Sequence, residues 1–250
     1  MNRIEQFKQD LKDKKAVKII AGIDNFDAEK VKQVVTAASK AGASAVDIAC
    51  DEALIAMAKE ISDIAVFVSS TSPKMLQMAK ENGADALELG NFDALYKKGL
   101  RIGAQEVFEM AKETRELAGY DIFFSVTVPG HINIEEQIKL VKKLEALNVD
   151  LIQTEGASVN NIFKNDTRNL SEKITLTVFN TVEIKKNTTI PVMTASGITP
   201  ATASVPFEAG ADAIGAGSCI NKLNSVAEMV DTILKINEKA GLSKFAKELV

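Results

Sequence analysis

Four stretches of this chain decide its fold when they are laid over one another. They are Gly42-Ala-Ser-Ala-Val-Asp47-Ile-Ala-Cys50, Gly83-Ala-Asp-Ala-Leu-Glu88-Leu-Gly-Asn91, Asn148-Val-Asp-Leu-Ile-Gln153-Thr-Glu155-Gly156 and Gly210-Ala-Asp-Ala-Ile-Gly215-Ala-Gly217-Ser218. Each opens on a residue suited to stop a helix, mostly glycine, and then enters a short apolar run. Working outward, these runs take the second, fourth, sixth and eighth places in a series of eight: Val17–Ile23, Ala45–Cys50, Ile64–Ser69, Ala86–Gly90, Ile122–Val128, Val149–Glu155, Val192–Ser196 and Ala213–Ala216. Between them, segments near 27–41, 51–62, 73–82, 103–118, 133–147, 171–187, 200–209 and 222–239 carry apolar residues at helical spacing. Strict alternation of strand and helix makes a parallel sheet, and eight such units favour closure into a TIM (β/α)8 barrel. Ile4, Phe7 and Leu11 add a short amphipathic helix that caps the N-terminal end. The chain has 250 residues, the usual length of one such barrel, so residues 1–250 are expected to form a single domain.

The repeat also predicts what the barrel holds. Alternate strands contribute the four side chains of one interior layer. Val46 and Ile48, Leu87 and Leu89, Ile152 and Ile214 suit the helix-facing side, which turns Asp47, Glu88, Gln153 and Gly215 inward. One layer nearer the C-terminal mouth come Ala49, Gly90, Glu155 and Gly217. The same parity turns Lys18 inward on strand 1 and Ser125 and Thr127 inward on strand 5. Barrel interiors are normally packed with Val, Ile and Leu, and unpaired buried carboxylates cost several kcal/mol each. Lys18 is the interior cation that can offset them. A salt-bridged core with no chemical role accounts for such a cluster. So does a proton-transfer site, in which Lys18, Asp47, Glu88 and Glu155 are catalytic candidates. Depth separates their roles. Glu155 lies nearest the mouth and is the acid/base candidate, Lys18 is the electrophile or Schiff-base candidate, and Asp47 and Glu88 hold the lysine.

The last two strands end in loops without bulk. Strand 7 runs into Ala195-Ser196-Gly197-Ile-Thr199-Pro200, with Thr199 a plausible N-cap and Pro200 a first helical residue. Strand 8 runs into Gly215-Ala-Gly217-Ser218. Barrels often hold a phosphate after strands 7 and 8, on backbone N–H groups that only small residues let approach closely. Ser196, Gly197, Gly215, Gly217 and Ser218 are therefore the phosphate-binding candidates. Tight turns without a ligand explain either loop alone; the pair is more specific. His131 follows strand 5 and is either a surface residue or an acid/base group. Asn91-Phe92-Asp93 opens a long connection to Gly103, a lid or rim wall, and the polar stretch from Gly156 to Leu170 is the candidate mobile loop.

Composition removes several classes. Thirty basic against 34 acidic residues give a net charge of −4, which argues against a nucleic-acid partner. No run of 18 apolar residues offers a membrane span. Two cysteines make no disulfide framework, and a single histidine excludes a multi-histidine metal site. No Walker loop follows strand 1, nor does a dinucleotide G-x-G-x-x-G, so no cofactor is expected. Asp47, Glu88 and Glu155 could ligate Mg²⁺ or Mn²⁺, but Lys18 competes, and no tightly bound metal is expected. Residues 1–15 lack a signal or transit pattern, so an organellar home would require synthesis within that organelle. The lysine-over-arginine skew, with frequent Asn and Ile, fits A+T-rich genomes such as those of plastids and of some bacteria. Self-association into a homo-oligomer stays open.

Several of these segments together carry a resemblance: Ala21-Gly-Ile-Asp24-Asn25-Phe26-Asp27, Val46-Asp47-Ile-Ala49, Glu88-Leu-Gly-Asn91-Phe92-Asp93, Ser125-Val-Thr-Val-Pro129, Ile152-Gln-Thr-Glu155-Gly156, Ala195-Ser-Gly197, Gly217-Ser218 and Asn221-Lys222-Leu223-Asn224. Over nearly its whole length the chain resembles the hypothetical chloroplast reading frame family numbered twenty-three, of cyanobacteria and red-algal-type plastids. The resemblance implies an aldolase-type barrel and a plastid home, or a cytoplasmic one in a cyanobacterium. It brings no reaction and no catalytic residue. A looser similarity, confined to strands 7 and 8, is to phosphate-binding barrels such as thiazole synthase, indole-glycerol-phosphate synthase and sugar-phosphate epimerases. The expectation is an enzyme acting on a small phosphorylated metabolite by proton transfer or C–C bond chemistry, of the lyase or isomerase kind. The rival expectation is a non-catalytic metabolite-binding or regulatory barrel.

Overall fold

The structure, a computed structural model, describes residues 2–96, 98–156 and 167–242. Eight parallel strands close into a barrel in sequence order: β1 (Ala16–Ile20), β2 (Ala45–Ala49), β3 (Ala65–Ser70), β4 (Ala86–Leu89), β5 (Phe123–Val128), β6 (Leu151–Thr154), β7 (Val192–Ala195) and β8 (Ala213–Ala216). Helix α1 (Arg3–Lys12) precedes them, and α2 (Ala28–Lys40), α3 (Glu52–Ile61) and α4 (Pro73–Glu81) follow the first three strands. After β4 come α5 (Asp93–Tyr96) and α6 (Ala104–Ala118), and after β5 comes α7 (Ile134–Ala146). Then follow α8 (Thr167–Lys185), α9 (Ser204–Glu208), and a pair after β8, α10 (Ser218–Asn221) and α11 (Val226–Lys239). This is the TIM barrel expected from the repeat.

Side-chain alternation along each strand sorts the apolar residues into two cores. Ile19, Ile48, Leu87, Val126, Ile152 and Ile214 face outward into the layer between strands and helices. The N-terminal end of the lumen is filled separately, by Phe7 and Leu11 of α1 with Ala16, Ala45, Ala65, Phe67, Ala86, Phe123, Leu151, Met193 and Ala213. Small residues on β2, β4 and β8 leave room for three rings. Phe7, Phe67 and Phe123 meet edge to face with centroids 4.9 to 5.7 Å apart. Phe7 recurs with Leu11 on one face of α1, so a single helix turn stoppers the barrel.

Above this plug the lumen changes character. The strand register pairs Asp47 with Ile20 and Phe67, Glu88 with Ser69 and Ser125, Gln153 with Thr127 and Met193, and Gly215 with Lys18 and Ala195. Asp47, Glu88, Gln153 and Gly215 therefore form one layer. Lys18, Phe67, Ser125 and Met193 lie below it, and Ile20, Ser69, Thr127 and Ala195 above it. The polar interior that parity predicts is present.

Three local expectations are corrected. Strand β1 stops at Ile20 rather than Ile23, because the chain turns through Gly22 at φ +115°. Helix α9 begins at Ser204, and Thr199 is not its N-cap; the Thr199 N–H donates to Thr202 Oγ1 at 2.9 Å, closing a turn first. The helix expected over 222–239 breaks, and α11 starts afresh at a Ser225–Glu228 capping box. The candidate mobile loop falls largely on residues 157–166, outside the described residues.

Phe7→Ala removes the ring that packs edge to face on both Phe67 and Phe123. Urea denaturation is expected to show a loss of about 3–5 kcal/mol.

Candidate active site

Lys18, Asp47 and Glu88 meet in the middle of the lumen, each 0 to 1% exposed. The Lys18 ammonium donates to Glu88 Oε2 at 3.0 Å and lies 3.6 Å from Asp47 Oδ2. Phe67, from the plug, sits under it with its ring centroid 4.9 Å from Nζ. Burial alone would lower the Lys18 pKa; Glu88 and then Asp47 outweigh it and hold it above the ordinary lysine value. Burial pushes Asp47 above the usual carboxylate range, against the opposing charge of Lys18.

The remaining acceptors are satisfied from above. Ser69 donates to Asp47 Oδ1, and Asn91 Nδ2 donates to Asp47 Oδ2 at 2.7 Å. Thr127 Oγ1 donates to Glu88 Oε1 at 2.8 Å. Asn91 is brought into the lumen by its backbone. Gly90 and Asn91 both have positive φ, +154° and +64°, and a Cβ on Gly90 would overlap the Thr127 side chain. Asn91 Oδ1 then accepts from Gln153 Nε2 at 2.8 Å, and Gln153 also donates to Thr127. Gln153 Oε1 is left buried without a donor. Asn91 and Gln153 thus roof the ionic cluster.

On this roof opens a cleft of about 450 Å³ at the C-terminal ends of the strands, where barrel enzymes work. Its walls include Ser196, Gly197, Gly215, Gly217 and Ser218, with Lys173 and Lys222 among them. Glu155 lines it as well, whereas Lys18, Asp47 and Glu88 lie beneath it. The structure therefore divides the four expected acid, base and lysine groups between two levels.

Glu155 is 2% exposed and accepts from the backbone N–H of Asp93 at 3.2 Å and of Gly130 at 3.3 Å, and from the Tyr96 hydroxyl. Burial first, and then the charge of Asp93, push its pKa up to about 8. Burial and the Glu155 charge hold the Tyr96 phenol above its ordinary value. Its oxygen lies 3.1 Å from His131 Nδ1, and burial together with Arg101 lowers the His131 pKa. Glu155, Tyr96 and His131 thus form one continuous hydrogen-bonded run that starts at the cleft.

Asp93 completes the wall. Its Oδ2 accepts from Ser196 Oγ at 2.5 Å and lies 2.5 Å from Lys173 Nζ. Sequence reasoning missed Tyr96 and Lys173, and gave Asn91 and Asp93 only a place on a rim. The long connection after β4 was the available signal, since a loop of that length at the mouth has room to fold back over it. Among the described residues, no three His, Cys, Asp or Glu side chains are grouped to hold a metal ion.

A closed eight-stranded α/β barrel with a cleft at its C-terminal mouth is the class that fold and site define. Solved structures with this fold include (S)-3-O-geranylgeranylglyceryl phosphate synthase from Thermoplasma acidophilum in complex with sn-glycerol-1-phosphate. It is 15% identical, with a TM-score of 0.65 over 96% of this chain and 98% of that one. A 3-hexulose-6-phosphate synthase gives 15% and 0.62, over 90% and 99%. Residues 1–245 match the family described as "Protein of unknown function (DUF561)", and the chain belongs to that family. Its relatives include "Uncharacterized protein ycf23" of Cyanophora paradoxa, 40% identical over 97% of this chain and 98% of that one. The protein of the same description from Pyropia yezoensis is 38% identical over 91% and 83%.

Lys18→Met leaves Asp47 and Glu88 buried without their cation and is expected to cost about 3–5 kcal/mol near neutral pH. The deficit is expected to shrink as pH falls towards 4. There the unfolded chain takes up a proton that the buried Asp47 of the variant already holds, because burial raises Asp47 and Lys18 no longer opposes it. Asp47→Asn in the same background is expected to return part of the loss. Urea denaturation at pH 4.5 and 8 checks all three.

Proposed function

We propose that this barrel is an enzyme acting on a small phosphorylated metabolite by proton transfer, of the isomerase or lyase kind. The observation that carries this reading is Glu155: a carboxyl group at the floor of the mouth cleft, pushed to about 8 and hydrogen-bonded into a Tyr96–His131 path. A group whose pKa lies near the working pH is suited both to take and to return a proton. The small-residue loops after β7 and β8, with Lys173 and Lys222, line the same cleft and support the phosphate end. The neighbours whose names carry a phosphorylated compound support it by analogy of fold only.

Glu155 is the acid/base group in this reading. Lys18 is a counter-ion that fixes the layer below, since a Schiff base on it requires Asn91 to leave the roof. The rival reading, a non-catalytic metabolite-binding barrel, draws on the same sealing of Lys18. The relatives' ycf23 designation and the lysine-rich composition support a plastid home. Among the described residues, no helix is long and apolar enough to cross a membrane.

A thermal-shift panel of inorganic phosphate and sugar phosphates tests the phosphate end. A ligand at 100 times its Kd adds about 2.7 kcal/mol, roughly 5–10 °C in Tm for a chain of this size. An unmoved Tm across the panel contradicts it. For a compound that does bind, deuterium uptake from D2O at the carbon beside its carbonyl is expected with the parent protein and not with Glu155→Gln. Binding without exchange favours the non-catalytic barrel.

A further inference from the structure

The loop after β4 does more than wall the cleft. Its Asp93 carboxylate sits between the Ser196 hydroxyl and the Lys173 ammonium, both at 2.5 Å. All three residues line the cleft. A hydroxyl and an ammonium converging on one oxygen are the donors that a phosphate oxygen would use. The fold fixes them there. Ser196 is held at φ +82°, a conformation rare outside glycine. Gly197 follows at φ +79°, and a Cβ on it would lie 3.0 Å from Ile174 N, so the β7 loop is pressed onto α8 beside Lys173.

We propose that Ser196 and Lys173 form the anion subsite of the cleft, and that the Asp93 carboxylate is a built-in stand-in which a phosphate monoester displaces on binding. This rests on the phosphate reading and extends it by assigning Lys173 as a phosphate-binding residue and Asp93 as a positioning residue. The consequence reaches the proton site. Asp93 also donates its backbone N–H to Glu155, and Tyr96 follows on the same short helix α5. Displacing Asp93 from Ser196 therefore pulls on the element that holds Glu155. Phosphate occupancy and the acid/base group are coupled through four residues of chain.

Titration calorimetry with inorganic phosphate, at fixed ionic strength, tests this on the full-length protein. Asp93→Asn keeps the shape and removes the competing charge; phosphate is expected to bind about tenfold more tightly. Lys173→Met is expected to weaken it by a similar factor. Asp24→Asn is the control for general charge, since Asp24 also lines the cleft but pairs with Lys98 at 3.0 Å; less than a twofold change is expected. Equal tightening by Asp24→Asn, or none by Asp93→Asn while the parent binds, overturns the stand-in. No binding by parent or Asp93→Asn overturns the phosphate reading itself. Should Asp93→Asn lose its cooperative melting transition, a crystal of the parent soaked in phosphate decides. Asp93 turned away from Ser196 supports the proposal, and phosphate bound elsewhere with Asp93 in place overturns it.

Discussion

One ammonium in the barrel lumen sets the conditions for everything above it. Lys18, fully buried, lies within 3.6 Å of two buried carboxylates. Remove it and two desolvated negative charges face each other with hydroxyls and an amide for company. The plug of Phe7, Phe67 and Phe123 beneath makes that constraint stricter, because it closes the N-terminal end to water. Hydrophobic residues of similar volume would fill this layer at lower electrostatic cost. The cluster therefore calls for an explanation beyond stability.

Hydrogen-bond polarity supplies one. With Asp47 as acceptor, Asn91 must present its NH2 downward, which turns its carbonyl towards Gln153. Gln153 in turn must donate, both to Asn91 and to Thr127, and its own carbonyl oxygen is left buried without a donor. Each amide has one orientation because the ion pair below has one sign. The roof is thereby rigid and directional, and the loop that carries Asn91 goes on to deliver Asp93 and Tyr96. The fixed layer below and the proton-holding layer above are joined by one short piece of chain.

Much of this was legible in the sequence. The fourfold repeat on even strands carries the barrel, and strict alternation places Lys18, Asp47, Glu88 and Gln153 in the lumen, because a parallel strand leaves a side chain only two directions. The loop residues Ser196, Gly197, Gly215, Gly217 and Ser218 were readable as cleft lining because small residues end both strands. Asn91 was not readable as a roof. Its direction depends on positive φ at two successive residues, which no periodicity encodes. Tyr96 against Glu155, and Lys173 against Asp93, are contacts between elements far apart in sequence, and only the closed barrel brings them together. His131, ambiguous as a lone loop histidine, gains its place through Tyr96.

The acid/base role proposed for Glu155 requires it to hold its proton near neutral pH. Carbon-13 NMR of the side-chain carboxyls, with Glu155 assigned by comparison with Glu155→Gln, reads this directly. A protonated carboxyl shift is expected at pH 6.5, with a midpoint near 8, well above the ordinary glutamate value. Tyr96→Phe is expected to move that midpoint up, because the phenol hydrogen bond favours the ionised form. A Glu155 midpoint near 4 to 5, in the range of an ordinary surface glutamate, would contradict that role.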